Sequence, residues 1–170
     1  MEVMETAVQG IFPAVKREGK YLTFSLADEE YGIGIRKVKE IIGMMAVTAI
    51  PQAPSYMKGV INLRGKVIPV VDLRLKFGME EGVRSEKTCI VVVEAARGEA
   101  RLAIGIIVGS VSEVLNIKED DVEPTPDFGT STDTRYILGM AKSGAGVKIL
   151  LDIDRVLCGL DFIDQNPSVN

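Results

Sequence analysis

Apolar and polar residues alternate along much of this chain, and the alternation breaks at glycine, proline or clustered charge. Alternation with a period of two marks half-buried strands. Residues 20–27 put Leu22, Phe24 and Leu26 on one face, which predicts a strand. Asp28-Glu29-Glu30 marks a turn, and residues 31–35 a short second strand. From Arg36 the spacing changes. Val38, Ile41 and Ile42 set against Lys37, Lys39 and Glu40 predict one or two helical turns or an irregular strand, ended by Gly43. Residues 44–50 read as a further strand, and Pro51-Gln52-Ala53-Pro54 as an exposed extended link, because each proline disfavours helix in the residue before it.

The strongest local pattern is GVINLRGKVIPVVDLRLKFG, residues 59–78. Apolar runs at 60–63 and 67–71 flank Arg64-Gly65-Lys66, a three-residue connection whose glycine supplies the positive φ such a loop needs. The second run is apolar on both faces, with Val67, Pro69 and Val71 on one side and Ile68 and Val70 on the other, so it is expected to lie between packed layers. Pro69 cannot donate to a ladder and belongs at a sheet edge or a bulge. Residues 73–77 predict a short helical turn closed by Gly78, and residues 80–87 a polar connection.

The second half repeats the theme. Strands are predicted over 88–94, 101–108 and 111–117, with a turn through 95–100 and a long polar loop over 118–135 that includes Glu119-Asp120-Asp121. A second hairpin over 136–141 and 147–151 turns at Gly144 to Gly146, and a short helix follows over 152–157.

The halves superimpose. At one constant separation Gly32-Ile33 meets Gly105-Ile106, Val38 meets Val111, Glu40 meets Glu113 and Ile41-Ile42 meets Val114-Leu115. At a slightly larger one Gly59 meets Gly139, Val67 meets Val147, and Val71-Asp72-Leu73 meets Leu151-Asp152-Ile153, the excess falling in the acidic loop. Matched Gly, Glu and Asp in one order argue for duplication of a unit of short strands and tight turns, which fits a small barrel better than an open sheet. Two barrels side by side leave a groove between them, with the 67–71 strand near it. The domain is expected over 19–160, the first copy at about 19–86 and the second at 87–160, with elements open to exchange between barrels and with tails at 1–18 and 161–170.

Composition narrows the chemistry. With 170 residues, 46% of them hydrophobic, the chain can bury about two-thirds of its unfolded surface as one domain or two tightly joined subdomains. Cys89 and Cys158 lie among apolar neighbours and are expected to be reduced core thiols. Met1, Glu2 and Glu5 lead into no basic stretch or long apolar run, so neither a signal peptide nor a membrane span is expected, and a cytoplasmic location is. A net charge of −4 and 5% aromatics argue against a nucleic-acid module. Histidine is absent, which removes the usual general base and the commonest zinc ligand. Asp72 and Asp152 sit where a strand passes into a helix, where capping accounts for both. Gly32-Ile33-Gly34 lacks the third glycine of a nucleotide fingerprint. A binding protein without metal or cofactor is favoured over the alternative, an enzyme with a carboxylate site between the barrels. Arg64, in its glycine-containing loop, is solvated, braced to an acid such as Asp72, or a ligand of a partner carboxylate.

FSLADEEYGIGIRKVKEII from Phe24, VTAIPQAPSYMKGVINLRGKVIPVVDLRLKFG from Val47 and IGIIVGSVSEVLNI from Ile104 resemble the CheW-type coupling proteins of bacterial chemotaxis, over residues 21–157. The resemblance implies a mainly β protein of two tandem SH3-like five-stranded barrels with short helical segments and a hydrophobic groove between them. It implies a non-enzymatic adaptor that joins the cytoplasmic tips of methyl-accepting chemoreceptors to the CheA histidine kinase, recruited to receptor arrays without inserting into the membrane, in a flagellar or another chemosensory pathway. Val38, Lys39, Glu40 and Ile41 are implied to face the CheW-like regulatory domain of the kinase. Ile35, Gly59, Asn62, Leu63 and Arg64 are implied to face the receptor. Gly109, in IIVGSVSEV, stands where the resemblance leads one to expect Asp.

Overall fold

A computed structural model describes residues 17–125, 135–144 and 146–158. The first repeat contributes β1 (Gly19–Leu26), β2 (Glu29–Gly34), a 3-10 turn (Ile35–Lys37), β3 (Val38–Gly43), β4 (Met57–Leu63), β5 (Lys66–Asp72) and α1 (Leu73–Lys76). The second contributes β6 (Cys89–Arg97), β7 (Ala100–Val108), β8 (Ser110–Ile117), β9 (Val122–Glu123), β10 (Ile137–Ser143), β11 (Gly146–Leu151) and α2 (Ile153–Leu157). Both helical turns start on the aspartates that the sequence marks as caps. Asp72 accepts from the backbone N–H groups of Arg74 and Leu75, and Asp152 from that of Arg155.

The strands form a six-stranded sheet in the order β8-β1-β2-β11-β10-β9 and a five-stranded one in the order β3-β6-β7-β5-β4. Neither sheet is one repeat. The leading hairpin of each copy, β1-β2 or β6-β7, is inserted among the remaining strands of the other copy, so a division near residue 86 separates repeats but not sheets. The insertion follows one register twice, since Gly32 of β2 pairs in parallel with Leu150 of β11 as Gly105 of β7 does with Val70 of β5. Close approach accounts for both glycines. A Cβ at Gly32 would lie 3.1 Å from Leu150 Cδ2, and one at Gly105 2.8 Å from Ile90 Cγ2.

Each sheet closes where its bent strand crosses the second hairpin. Thr48 and Val60 exchange two backbone hydrogen bonds of 2.9 Å, and β9 pairs with β10 in the corresponding place. Residues 44–50 therefore carry a single bridge rather than the expected strand, because a chain rounding the corner of a barrel cannot hold a ladder on the way. The expected loop over 118–135 contains β9 for the same reason. The β1-β2 turn is shorter than expected, with Glu29 and Glu30 already in β2, and β6 runs on through Arg97.

Ile61, Ile68, Val70, Ile90, Val92 and Ile107 fill the five-stranded barrel, and Tyr21, Ile117, Ala141 and Leu150 the six-stranded one. Between them lies the largest cluster, where Leu22, Phe24, Leu26 and Ile33 meet Val71, Leu73, Val91, Ile104 and Ile106. Full burial of such side chains contributes about 1.5–3 kcal/mol each. β5 is thus the wall between two cores, Ile68 and Val70 facing one and Val71 the other. Val67 departs from this, being 70% exposed. The parallel partner β7 joins β5 only from Val70 onward, so the first half of β5, Pro69 included, is an edge. Cys89 is half-buried and its thiol is pushed up by burial. Cys158 is exposed, against expectation, because it follows the last buried residue of α2, Leu157.

Candidate functional site

The β4-β5 tip is tighter than a three-residue connection, since Leu63 pairs directly with Lys66. Arg64 and Gly65 both take positive φ, 53° and 89°, as a type I′ turn requires. The Asn62 side chain accepts from the Gly65 N–H at 2.9 Å and closes the turn. Arg64 is thereby turned toward β3, where its guanidinium donates to the Glu40 carboxylate. That hydrogen bond, and then the charge of Glu40, hold the guanidinium above its ordinary pKa. Of the three readings open for Arg64, the brace is formed, with Glu40 as the acid rather than Asp72, whose oxygen is occupied as a cap, and the side chain stays 69% exposed.

The β3 residues divide by depth. Val38 packs against the core between the barrels. Lys39 is exposed and lies 3.9 Å from Glu94, and Ile41 is 46% exposed. The β3-β6 register shifts between Val38 and Glu40, a bulge that re-aims the side chains beyond it. Leu63 packs onto the core of the five-stranded barrel and Asn62 is exposed. Gly59 offers no surface: it is buried at φ 143°, and a Cβ there would lie 2.1 Å from the Thr48 carbonyl oxygen.

Ile35 is set apart from the hairpin tip. It lines a groove of about 700 Å³ together with Tyr21, Lys37, Leu138, Asp152 and Asp154, which residues 59 and 62–64 do not enter. Burial, above all, raises the Asp152 pKa, against the lowering effect of its hydrogen bond from Arg155. Lys37 and Asp154 form a partly exposed ion pair of 2.6 Å at its rim, of a kind that contributes at most about 1 kcal/mol.

The repeats are equivalent in backbone and unequal in chemistry. Gly144 stands where Arg64 does, so Glu113 meets no such guanidinium; its backbone instead exchanges hydrogen bonds with the Thr23 hydroxyl at a bulge. Exposed apolar residues recur at matched positions, Ile41 with Val114 and Val67 with Val147. The repeat itself could have exposed the second pair, whereas Lys37 and Asp154 carry no motif.

The model of the CheW-like domain matches residues 20–159. This chain belongs to the CheW-like family. Chemotaxis protein CheW of Klebsiella aerogenes is 38% identical over 138 residues, 81% of each chain, and that of Treponema pallidum 33% identical over 79% of each. The crystal structure of the scaffolding protein TtCheW from Thermoanaerobacter tengcongensis matches with a TM-score of 0.73 and 36% identity, covering 84% of this chain and 89% of that one. Membership of the CheW-like family makes the chain a non-enzymatic chemotaxis scaffold. Among the described residues no helix is long and apolar enough to cross a membrane.

Proposed function

We propose that this CheW-like scaffold couples the cytoplasmic tips of methyl-accepting chemoreceptors to the CheA histidine kinase, in the cytoplasm at membrane receptor arrays. Val38, Lys39, Glu40 and Ile41 meet the CheW-like regulatory domain of the kinase, barrel to barrel. Asn62, Leu63 and Arg64, supported from beneath by Gly59, meet the receptor helical hairpin, with Ile35 a second, separate contact in its own groove. The observation that carries this reading is the Arg64–Glu40 ion pair, which joins a residue of each surface. A receptor carboxylate that engages Arg64 competes with Glu40, so occupancy of one surface alters the charge presented by the other.

The test is titration of the full chain with the kinase regulatory domain and with a receptor hairpin fragment, separately and together. Arg64→Ala should weaken receptor binding roughly tenfold and keep the fold. Unchanged receptor binding and kinase control in that variant refute the assignment, and failure of the parent chain to bind either partner refutes the coupling function itself.

A further inference from the structure

Asp154 belongs to none of the partner-facing sets, yet it ties down the strand that carries one of them. Its Oδ2 accepts from Lys37 Nζ at 2.6 Å and its Oδ1 from the Ala96 N–H at 2.9 Å. Lys37 ends the 3-10 turn, immediately before Val38. Ala96 lies in β6, the strand to which β3 is hydrogen-bonded. One carboxylate at the start of α2 therefore ties the Lys37 side chain, next to the bulge that begins at Val38, to the backbone of β6 at Ala96. Because side chains alternate along a strand, the position of that bulge decides which of Lys39, Glu40 and Ile41 face outward.

The other repeat lacks this tie. Arg74 stands at the position equivalent to Asp154, and Ser110 at that of Lys37. There the junction into β8 is held by Ser25, through a 2.9 Å hydroxyl contact with Ser110 and a 2.9 Å hydrogen bond from the Gly109 N–H to its carbonyl. Among the described residues an ion pair thus joins the helical turn α2 to the start of the strand proposed to meet the kinase, and the equivalent junction has none. The pair is partly exposed, with 38% and 21% of the two side chains accessible, so its loss shifts position more than it threatens folding.

We propose that Asp154 is a positioning residue for the Val38–Ile41 surface: it sets where the exposed face of β3 begins without touching the partner. This rests on the kinase-facing assignment of β3 made above. In the full chain, Asp154→Asn and Lys37→Met should each weaken binding of the kinase regulatory domain roughly two- to fivefold, and receptor-fragment binding, for which Ile35 shares a groove with both side chains, by a smaller factor, while the thermal midpoint stays at the parent value. Asp154→Ala, which also removes the acceptor for Ala96, should weaken it further, and Lys37→Arg, which keeps the pair, should bind as the parent does. Kinase binding unchanged in all of these variants overturns the proposal, as does equal loss of both partners with a lowered midpoint. Should the parent chain bind no kinase domain, the coupling function fails and the positioning claim is read from amide chemical shifts. Asp154→Asn should then move those of residues 38–41 more than those of β8, and uniform shifts overturn it.

Discussion

Substitution of Gly59 by alanine tests the account of barrel closure. A Cβ at this position would stand 2.1 Å from the Thr48 carbonyl oxygen, 2.7 Å from its carbonyl carbon and 3.0 Å from Ala49 Cα. All three are backbone atoms, so no rotamer change relieves the overlap and the crossing segment must move away. Two backbone hydrogen bonds between Thr48 and Val60 are then lost, at about 1 kcal/mol each. Holding alanine at φ 143° adds about 1–3 kcal/mol. The sum, about 3–5 kcal/mol, is a large share of the 5–15 kcal/mol that stabilises a typical domain. It corresponds to a fall in Tm of roughly 6–20 °C for a chain of this size. Calorimetry or urea unfolding gives the answer, with Gly139→Ala as the control: its Cβ would meet the Val122 side chain at 2.5 Å and the Glu123 carbonyl oxygen at 3.0 Å, a milder backbone overlap than the 2.1 Å at Gly59. A Gly59→Ala midpoint within 2 °C of the parent, an interval below the smallest expected fall, or a larger loss in Gly139→Ala, refutes the closure argument.

Two further substitutions probe charge. The Asp152 pKa is raised in the folded state, chiefly by burial, so the native chain binds the proton more tightly and the carboxylate loses stability as pH rises above its unfolded value near 4. Asp152→Asn retains a capping oxygen and should match the parent in urea unfolding at about pH 3 while exceeding it at about pH 7; a constant difference between these pH values refutes the assignment. Gly109→Asp would place its Cβ 2.9 Å from Arg74 Nη2 and 3.2 Å from the Ser25 carbonyl oxygen. Because the guanidinium can move and has no carboxylate partner among the described residues, the variant should gain up to about 1 kcal/mol at low salt and lose that gain at high salt. Destabilisation independent of salt shows instead that the Ser25 backbone prevails.

The strands, both hairpins and the duplication were legible because they rest on local rules. Alternation placed Leu22, Phe24 and Leu26 on one face, the strand-to-helix step marked Asp72 and Asp152 as caps, and matched glycines aligned the copies. Long-range choices were not legible. Equivalence of β2 and β7 says that they are used alike and does not say that each is lent to the other copy, because the same ladder could form within either repeat. The unbroken apolar run points Val67 inward, but a strand is buried only as far as its neighbours extend, and β7 stops short of it. For Arg64 the tip geometry could be read, whereas its partner Glu40 is brought to it by closure of the barrel rather than by any spacing along the chain.

The duplication supplies two nearly equivalent backbones, and partner choice has to come from where they differ. At two places the first copy carries charge that the second lacks, Arg64 against Gly144 at the hairpin tip and Lys37, held by Asp154 of the second copy, against a pair of serine hydroxyls at the junction; at a third the second copy carries it, Lys142 paired with Glu123 where the first copy has Asn62. The exposed apolar positions, by contrast, are kept in both, as Ile41 with Val114 and Val67 with Val147. Apolar contact without charge is non-directional, and it would let a partner of the first copy settle on the second. Ion pairs placed differently on the two copies give each an electrostatic pattern its twin cannot present, which discriminates between otherwise similar surfaces more sharply than it adds affinity.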